Sequence, residues 1–546
     1  MLVAHLNFVD WIVIGIYFAF VLGIGFYLKH HTKTGHDFFM AGRKNSSWLA
    51  GLAFLSANMG ALELLGMSGQ AYKYGVLTAH FYLIGAIPAM LFLAIFMMPF
   101  YYSNKIHSVP GYLQLRFNEH TRTLNAFAFA VMTLLVSGIN LYAMALVLNA
   151  FLGWNMNVCM WASSLTVCLY ISLGGLTSAI YSEVLQFFLI WFGLFLAFIM
   201  GIIDFGSWGA IKAHLSSSYF HLWSNTGHAT SNPMLVDWFG IVMGLGFVLS
   251  FGYWTTDFLV VQRTFSARDL RSAQMSPVLA SFFKMALPFM VVGAGLIALA
   301  LVNTHQIEAL KKPDDALLVL LIRYYPSGLL GLGVTALLAG FMSGQAGNIS
   351  AFNTVFTYDL YRTHIAKNAS DAHYVKVGRI MTIVGILVSV LTAYWAMSMP
   401  SIMEYMQALF SIVNAPLFAA ILLGMFWKRA NGIGAFCGLF CGMLVAASMF
   451  LLIKFNAISP AWVAFNPKAS PMALAFWQAI WAWSTTLVLT ILISLMTKKP
   501  DAKKLDGLVY HKNAIKKYKH LHWHKRPAVW AVISLIILVT LNIIYW

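Results

Sequence analysis

The chain has 546 residues, of which 60% are hydrophobic and only 9% are charged. A soluble domain carries about a quarter charged residues, so these side chains are too few to cover a water-exposed surface. The composition therefore excludes an ordinary soluble protein and predicts a chain that crosses a membrane many times.

Fourteen apolar segments are long enough to cross a bilayer, which takes about 20 residues each. In chain order they are 8–28, 48–70, 77–101, 123–151, 158–176, 180–204, 235–261, 275–302, 327–348, 378–397, 401–427, 432–454, 472–496 and 528–545. The first is too long for a signal peptide and has neither a preceding basic segment nor a small-residue cleavage site. We predict an all-α membrane protein with about 14 transmembrane helices.

The basic residues lie mostly on one side of this arrangement. Alternate loops, beginning with 29–47 and ending with 497–527, hold 26 of the 34 Lys and Arg residues. By the positive-inside rule these loops face the cytoplasm, which places both termini on the outer side. The net charge of +17 is therefore a topology signal, and binding of nucleic acid is not needed to explain it.

The loops do not suggest an enzyme. The longest outward loop, 205–234, contains no hydrolase or kinase motif. The longest cytoplasmic loop contains Lys516, Lys517 and Lys519, followed by the alternating residues His520, His522 and His524. These histidines could bind a metal or sense pH, but a solvated basic stretch beside the membrane explains them more simply.

Two spans carry polar and small residues at mid-membrane depth, where such residues are costly and usually functional. The second span has Ser56, Asn58, Gly60 and Glu63 in its middle, and the seventh is interrupted from Gly246 to Asp257. An unwound segment presents backbone carbonyls and helix ends to a bound ion or solute. The interrupted spans are five apart, which indicates an inverted repeat with a site at the midplane, although glycines that pack helices give a similar pattern.

The ninth span carries a run of small and hydroxyl residues that includes Ser343, Gly344, Gly347 and Ser350. Ser343 could give a hard oxygen ligand to an alkali ion. Close helix packing would explain the same run.

Several blocks together resemble the sodium:solute symporter family. The blocks are FFMAGRKNSSWLAGLAFLSANMGALELLGMSG, GGLTSAIYSEVLQFF, YWTTDFLVVQRTFSARDLRSAQ, FNTVFTYDLYR and LLGMFWKRANGIGAF, in that order over residues 36–436. The resemblance implies a leucine-transporter-like core of two inverted five-helix repeats. It predicts a leading helix and loop at 1–47, the ten-helix core at 48–427 and peripheral helices at 428–546.

The resemblance also implies a sodium site between the break of the first core helix and the eighth core helix. Its ligands here would be the carbonyls of Ser56, Met59 and Gly340 and the hydroxyl of Ser343. Where the family usually has a second hydroxyl residue, this chain has Gly344, so one ligand is missing. Water could replace that ligand, the site could be weak, or a proton could drive transport. Glu183 matches a carboxylate near the family's inner sodium path.

Sugar-transporting members bind hydroxyls through residues that match Asn58, Lys284 and Gln407, and their inner gate matches Tyr253, followed by Trp254. Two positions depart from this pattern, because the sugar members' Gln is Glu63 here and their Glu is Tyr82. Ser250 also replaces an Asn beside the gate. Lys284 inside a span needs a partner, for which Glu63 and Asp257 are the candidates.

The sequence therefore predicts a sodium-coupled symporter that imports a small polar solute, most simply a sugar or polyol, by alternating access. The alternatives are proton- or sodium-coupled uptake of an amino acid or monocarboxylate, and a solute sensor without transport. Expected partners are the solute, Na⁺ and the lipid bilayer, without nucleic acid, in a monomer or weak oligomer. The expected location is the inner or plasma membrane.

Overall fold

A computed structural model describes residues 6–29, 43–104, 106, 108–510, 518 and 520–546. Residues 30–42, which include the Ala-Gly of the first family block, lie outside the described residues, as do Lys516, Lys517 and Lys519. The described backbone is helical apart from loops and one isolated bridge between Asn45 and Ala267. The predicted all-α class is confirmed.

The main helices are numbered in chain order. They are α1 (Phe8–Lys29), α2 (Ser47–Asn58), α3 (Leu62–Ala79), α4 (Phe81–Tyr102), α5 (Val109–Arg116), α6 (Glu119–Leu152), α7 (Met156–Phe205), α8 (Gly240–Thr256), α9 (Phe258–Phe265), α10 (Leu270–Asn303), α11 (Ala316–Tyr324), α12 (Leu329–His364), α13 (Asp371–Met397), α14 (Ile402–Phe426), α15 (Gly432–Lys454), α16 (Pro471–Met496) and α17 (Pro527–Ile544).

Within the described ranges, ten helices are long and apolar enough to cross a membrane, or twelve if each bent pair forms one span. Phe8–Ile24 and Met156–Leu169 are shorter apolar stretches. The membrane-spanning character is thus confirmed, while the count of fourteen spans stays a prediction.

One boundary differs from the sequence interpretation. The predicted spans 158–176 and 180–204 lie in the single 50-residue helix α7. At 1.5 Å per residue this helix is about 75 Å long, well above the roughly 30 Å hydrocarbon core of a bilayer. The end of the first predicted span contains Gly174 and Gly175, no proline separates the two spans, and glycine weakens a helix without ending it.

Both interrupted spans are bent. Helices α2 and α3 meet at 62°, and α8 and α9 meet at 47°. At the first bend the amide oxygen of Asn140 on α6 accepts the backbone N–H of Ala61 at 3.0 Å. A side chain on Gly60 would collide with this oxygen, since its Cβ would stand 2.6 Å away. At the second bend Asp257 is extended and its carboxylate accepts the N–H of Leu259 at 2.9 Å, which caps α9.

The two bent helices are joined at one end. The backbone N–H of Asn45, just before α2, donates to Ser266 O at 3.1 Å, and Arg268 donates back to Asn45 O at 2.9 Å. The side chains of Asn45 and Ser266 add a bond of 3.0 Å. The start of α2 and the end of α9 are therefore fixed to each other on the predicted cytoplasmic side.

The leading helix is attached to the core through one carboxylate. Asp10 on α1 is buried, and its Oδ1 accepts the backbone N–H groups of Gly328 and Gly331 at 2.7 and 2.6 Å. These donors belong to the first turn of α12, whose N–H groups have no partner within the helix. Asp10 therefore caps α12 from another helix.

The opposite end of α3 is closed against α14. Lys73 on α3 forms an ion pair with Glu404 on α14. In the loop before α11, Asp314 Oδ2 accepts the N–H of Ile402, the first residue of α14, at 3.0 Å. These contacts close the predicted outer side of the region between the bent helices.

Candidate solute and cation site

One narrow cavity lies at the first bend. Its volume is about 50 Å³, well below the roughly 300–1,000 Å³ of typical small-molecule pockets. The seven residues predicted to bind solute all line it: Asn58, Glu63, Tyr82, Tyr253, Trp254, Lys284 and Gln407. These residues come from α2, α3, α4, α8, α10 and α14, so the fold brings together positions far apart in the chain. In this conformation the side chains bond mainly to one another.

Lys284 is at the centre of that network. Its Nζ donates to Asn58 Oδ1 at 2.6 Å and to Glu63 Oε2 at 2.8 Å. The Lys284 side chain is 2% exposed and that of Glu63 is 7% exposed. An isolated buried ammonium would be strongly destabilising, so this pairing is what permits Lys284 at mid-span. Of the two partners considered from the sequence, Glu63 is the one that pairs with Lys284.

The two departures from the sugar-transporter pattern contact each other. Tyr82 OH donates to Glu63 Oε1 at 2.6 Å, while Lys284 occupies the other carboxylate oxygen. In the resemblance the carboxylate belongs to the second core helix, whereas here it lies on the first and a tyrosine on the second holds it. The site thus has one carboxylate beside the lysine, and the residues at the two departure positions are hydrogen-bonded to each other.

Aromatic rings cover the lysine. Lys284 Nζ lies 5.1 Å from the ring centre of Tyr82 and 5.0 Å from that of Trp254. Both distances are within the range of attraction between a cation and an aromatic face. Phe54 packs against Trp254 with ring centres 5.5 Å apart. The rings give the cavity an apolar wall beside its hydrogen-bonding groups.

The remaining two predicted residues form the opposite wall. Tyr253 OH accepts from Asn58 Nδ2 at 2.9 Å, and its ring lies over Phe410 with centres 4.8 Å apart. The amide nitrogen of Gln407 donates to Met403 Sδ at 3.7 Å. A thioether is a weak acceptor, so a solute hydroxyl would be a better partner for Gln407.

The predicted sodium ligands also lie together. Ser343 Oγ donates to Ser56 O at 3.0 Å, and the two serine hydroxyls are 3.3 Å apart. A Cβ on Gly340 would stand 2.7 Å from Met59 O, so the glycine lets α12 approach the bend closely. Carbonyl and hydroxyl oxygens are the ligands that hard cations prefer. The oxygens of Ser56 and Ser343 are of this type, and their part in holding Na⁺ stays a prediction.

The glycine at the departure position has a steric explanation. A Cβ on Gly344 would stand 2.8 Å from Asn140 Oδ1 and 3.1 Å from the Cα of Gly60. The space that a hydroxyl side chain would need is thus filled by the amide of Asn140. Sequence reasoning missed Asn140, although an asparagine in the middle of a span was a usable signal.

Glu183 is paired in this conformation. Both of its carboxylate oxygens face Arg263 of α9, with distances of 2.5 Å to Nη2 and 3.3 Å to Nε. Both side chains are almost fully buried. Arg263 balances the charge of Glu183 in this conformation. A role of Glu183 in the ion path stays a prediction.

The sequence profile of the sodium:solute symporter family matches residues 38–442, well over half of the chain. The chain belongs to this family. The symporter blocks found in the sequence lie within or at the edge of the matched region. The bent helices α2/α3 and α8/α9, which place the candidate site, are inside it.

Relatives of known activity include sugar and polyol transporters. The sodium/glucose cotransporter of Vibrio parahaemolyticus is 28% identical over 83% of this chain and 86% of its own length. The sodium/myo-inositol cotransporter 2 of Rattus norvegicus is 27% identical over 92% of this chain and 79% of its own length. The sodium/mannose cotransporter of Bos taurus is 28% identical over 93% and 89%. The relatives are transporters, and Na⁺ is the coupling ion of this symporter family.

Solved structures share the fold. A Na⁺-coupled sialic acid symporter in a substrate-bound outward-open state matches with a TM-score of 0.76 at 20% identity, covering 91% of this chain and 99% of its own. The nucleobase-cation symporter Mhp1 matches with a TM-score of 0.52 at 11% identity, covering 86% and 97%. The predicted leucine-transporter-like fold is thereby confirmed for this symporter.

Proposed function

We propose that this symporter imports a neutral, polyhydroxylated solute, a sugar or a polyol, together with Na⁺. The observation that carries this proposal is the ion pair between Lys284 and Glu63. Because the ammonium is balanced by the carboxylate, the cavity offers strong hydrogen-bonding groups without a net charge. A monocarboxylate would have to displace Glu63 from Lys284 and would be repelled by it.

The lining provides the groups that hydroxyls need. Glu63 supplies acceptors, Lys284 supplies donors, and the amides of Asn58 and Gln407 supply both. Bonds to ionised groups are stronger than neutral ones, and the faces of Tyr82 and Trp254 suit the apolar face of a ring. The sugar and polyol specificities of the glucose, myo-inositol and mannose relatives agree with this lining.

We propose further that Na⁺ binds among the oxygens of Ser56, Met59, Gly340 and Ser343. An ion held there joins α2, at its break, to α12. Such an ion would stabilise the form in which the bend is open to solute, and this is how binding of the two would be coupled. The support is the contact of Ser343 with Ser56 and the close approach of Gly340 to Met59 O.

The contacts on either side of the cavity indicate which residues must move when the solute enters and leaves. Solute entry requires separation of the outer contacts, in which Lys73 pairs with Glu404. Release towards the cytoplasm requires movement of Tyr253, which lies beneath the cavity between Asn58 and Phe410. We propose that the ten-helix core at 48–427 performs this movement in the inner or plasma membrane, in a monomer or weak oligomer with both termini outside.

The test is Na⁺-dependent uptake into proteoliposomes of labelled hexoses, myo-inositol, a neutral amino acid and a monocarboxylate. We expect accumulation of a sugar or polyol that requires an inward Na⁺ gradient and is lost when a proton gradient replaces it. Accumulation of the amino acid or the monocarboxylate alone would overturn the proposal. Solute binding without any uptake would favour a sensor.

A further inference from the structure

A second, smaller cavity lies on the other side of Tyr253 from the proposed solute site. Its volume is about 30 Å³, which is enough for a water molecule or a small ion. Asn58 and Tyr253 line both cavities. Asn140, Asp257, Gly344 and Asn348 line the second one. This cavity is too small for a sugar, but one small ion fits its volume, and Asn140, Asp257 and Asn348 give it polar groups.

Asp257 gives this cavity a charge. The residue is 3% exposed. One carboxylate oxygen accepts the N–H of Leu259, and the other lies 3.5 Å from Asn414 Nδ2. Within the part of the chain that the structure describes, no Lys, Arg or His side chain forms an ion pair with Asp257.

Three other buried carboxylates are each balanced by a basic side chain. Glu63 pairs with Lys284, Glu183 pairs with Arg263 and Asp359 pairs with Arg122. A buried carboxylate without such a partner is strongly disfavoured. A bound cation or a proton must therefore neutralise Asp257, since no described Lys, Arg or His side chain pairs with it.

Helix capping alone does not account for this residue. Asp257 is the cap of α9, but a cap needs a side-chain oxygen, and asparagine caps a helix about as well as aspartate. The N-terminal dipole of α9 favours the negative charge by only a small amount. Capping explains the oxygen at this position and leaves the buried charge unexplained.

The cavity is next to the proposed sodium site. Gly344, which lines the cavity, directly follows Ser343 on α12, and Gly60 on the same wall directly follows Met59. One turn further along α12, a Cβ on Gly347 would stand 3.3 Å from Arg263 Nη2, the partner of Glu183. The order along α12 is thus sodium site, small cavity and buried ion pair.

We propose that the small cavity is a second Na⁺ station, in which the carboxylate of Asp257 holds the ion after it leaves Ser56 and Ser343. The amide oxygens of Asn140 and Asn348 provide the neutral ligands. The ion then leaves past the pair of Glu183 and Arg263. This inference rests on the proposed Na⁺-coupled function and adds an ion position between the sodium site and the exit.

Asp257→Asn tests the charge while keeping the helix cap. We expect the variant to fold normally, and its half-saturating Na⁺ concentration to rise roughly tenfold, as for loss of a charged ligand. The midpoint is read twice, from Na⁺-dependent thermal stabilisation of the purified protein and from uptake. Asp359→Asn is the matched control, because it neutralises a buried carboxylate at the far end of α12, where Arg122 is its partner, and should leave the Na⁺ midpoint unchanged.

An unchanged Na⁺ midpoint in Asp257→Asn, together with loss of thermal stability in Asp257→Ala, would show that the residue is a helix cap and overturn the proposal. If Asp257→Asn does not fold, Asn348→Ala takes its place, with an expected two- to threefold rise in the Na⁺ midpoint. An unchanged Na⁺ midpoint in Asn348→Ala would also overturn the proposal of a second Na⁺ site. Wild-type uptake without Na⁺ dependence would instead reject the proposed function, which separates the two failures.

Discussion

Lys284 Nζ lies 2.8 Å from Glu63 Oε2, and this ion pair joins α10 to α3 beside the bend. A buried pair contributes little net stability compared with apolar residues, but loss of one partner leaves an unpaired charge that costs about 3–5 kcal/mol. Replacing either Lys284 or Glu63 alone should therefore destabilise the protein more than replacing both. The same two side chains are the charged groups offered to the solute.

Lys284→Gln should lower the melting temperature of the detergent-solubilised protein by several degrees, because Glu63 loses its cationic partner. The double variant Lys284→Gln with Glu63→Gln should regain most of that loss while still failing to bind solute. Thermal melts and solute titrations of the single and double variants measure the coupling. Additive losses in the double variant would contradict the pairing.

Ser343→Ala should raise the Na⁺ concentration needed for half-maximal uptake by roughly tenfold, since one oxygen ligand is removed. Uptake at saturating Na⁺ should recover. Ser350→Ala, two turns along α12 and also buried, is the control and should leave the Na⁺ dependence unchanged. An equal effect of both variants would indicate packing of α12 rather than ion binding.

Gly344→Ser, which restores the hydroxyl usual in the family, should not strengthen Na⁺ binding. The new side chain would be forced against Asn140 and Gly60, with a cost of about 1–3 kcal/mol for overpacking. Adding Asn140→Ala should relieve the collision, and the double variant should bind Na⁺ more tightly than either single variant. Thermal stabilisation by Na⁺ measures all three. Tight binding by Gly344→Ser alone would show that Asn140 moves freely.

Tyr253→Ala should impair solute binding more than folding, because it removes the bond to Asn58 and the ring over Phe410. Tyr253→Phe keeps the ring and should weaken solute affinity only a few-fold, the amount expected for one neutral hydrogen bond. Gln407→Ala should likewise reduce solute affinity with a normal melting temperature. Normal transport by both Tyr253→Ala and Gln407→Ala would remove these residues from the solute site.

Asp314, in the outer loop, gives a pH dependence. Burial raises the pKa of its carboxyl from 3.8 to about 7. The folded protein then holds this proton more tightly than the unfolded chain, so the stabilisation is complete below pH 3.8 and is lost as the pH rises to about 7. Asp314→Asn should flatten this decline. Melting temperatures of both proteins between these limits provide the check, and parallel curves would contradict it.

The fold was largely predictable because its signals are local. Apolar length fixes a span, and the polar residues around Asn58 and Asp257 mark both bends. The family blocks then give the order of the helices. By contrast, the continuity of α7 was not predictable, because two glycines in an apolar stretch suit either a break or a continuous helix.

The candidate site was predictable as a set of residues but not as a set of contacts. Glu63 and Tyr82 were separate departures in the sequence, and only the fold shows that one holds the other. The missing hydroxyl at Gly344 likewise suggested a lost ligand, whereas its cause is the amide of Asn140 on another helix. Relationships of this kind depend on which helices face each other, and helical periodicity does not contain that information.

The hydrogen bonds from α12 to Asp10 connect the first helix directly to the helix that carries the proposed Na⁺ ligand Ser343. Because this carboxylate accepts from Gly328 and Gly331, α1 is fastened to the helix that carries Ser343. When the core rearranges, we expect α1 and α12 to move together. A fluorescent label on α1 would therefore report the motion of the ion-binding helix without any change inside the transport path.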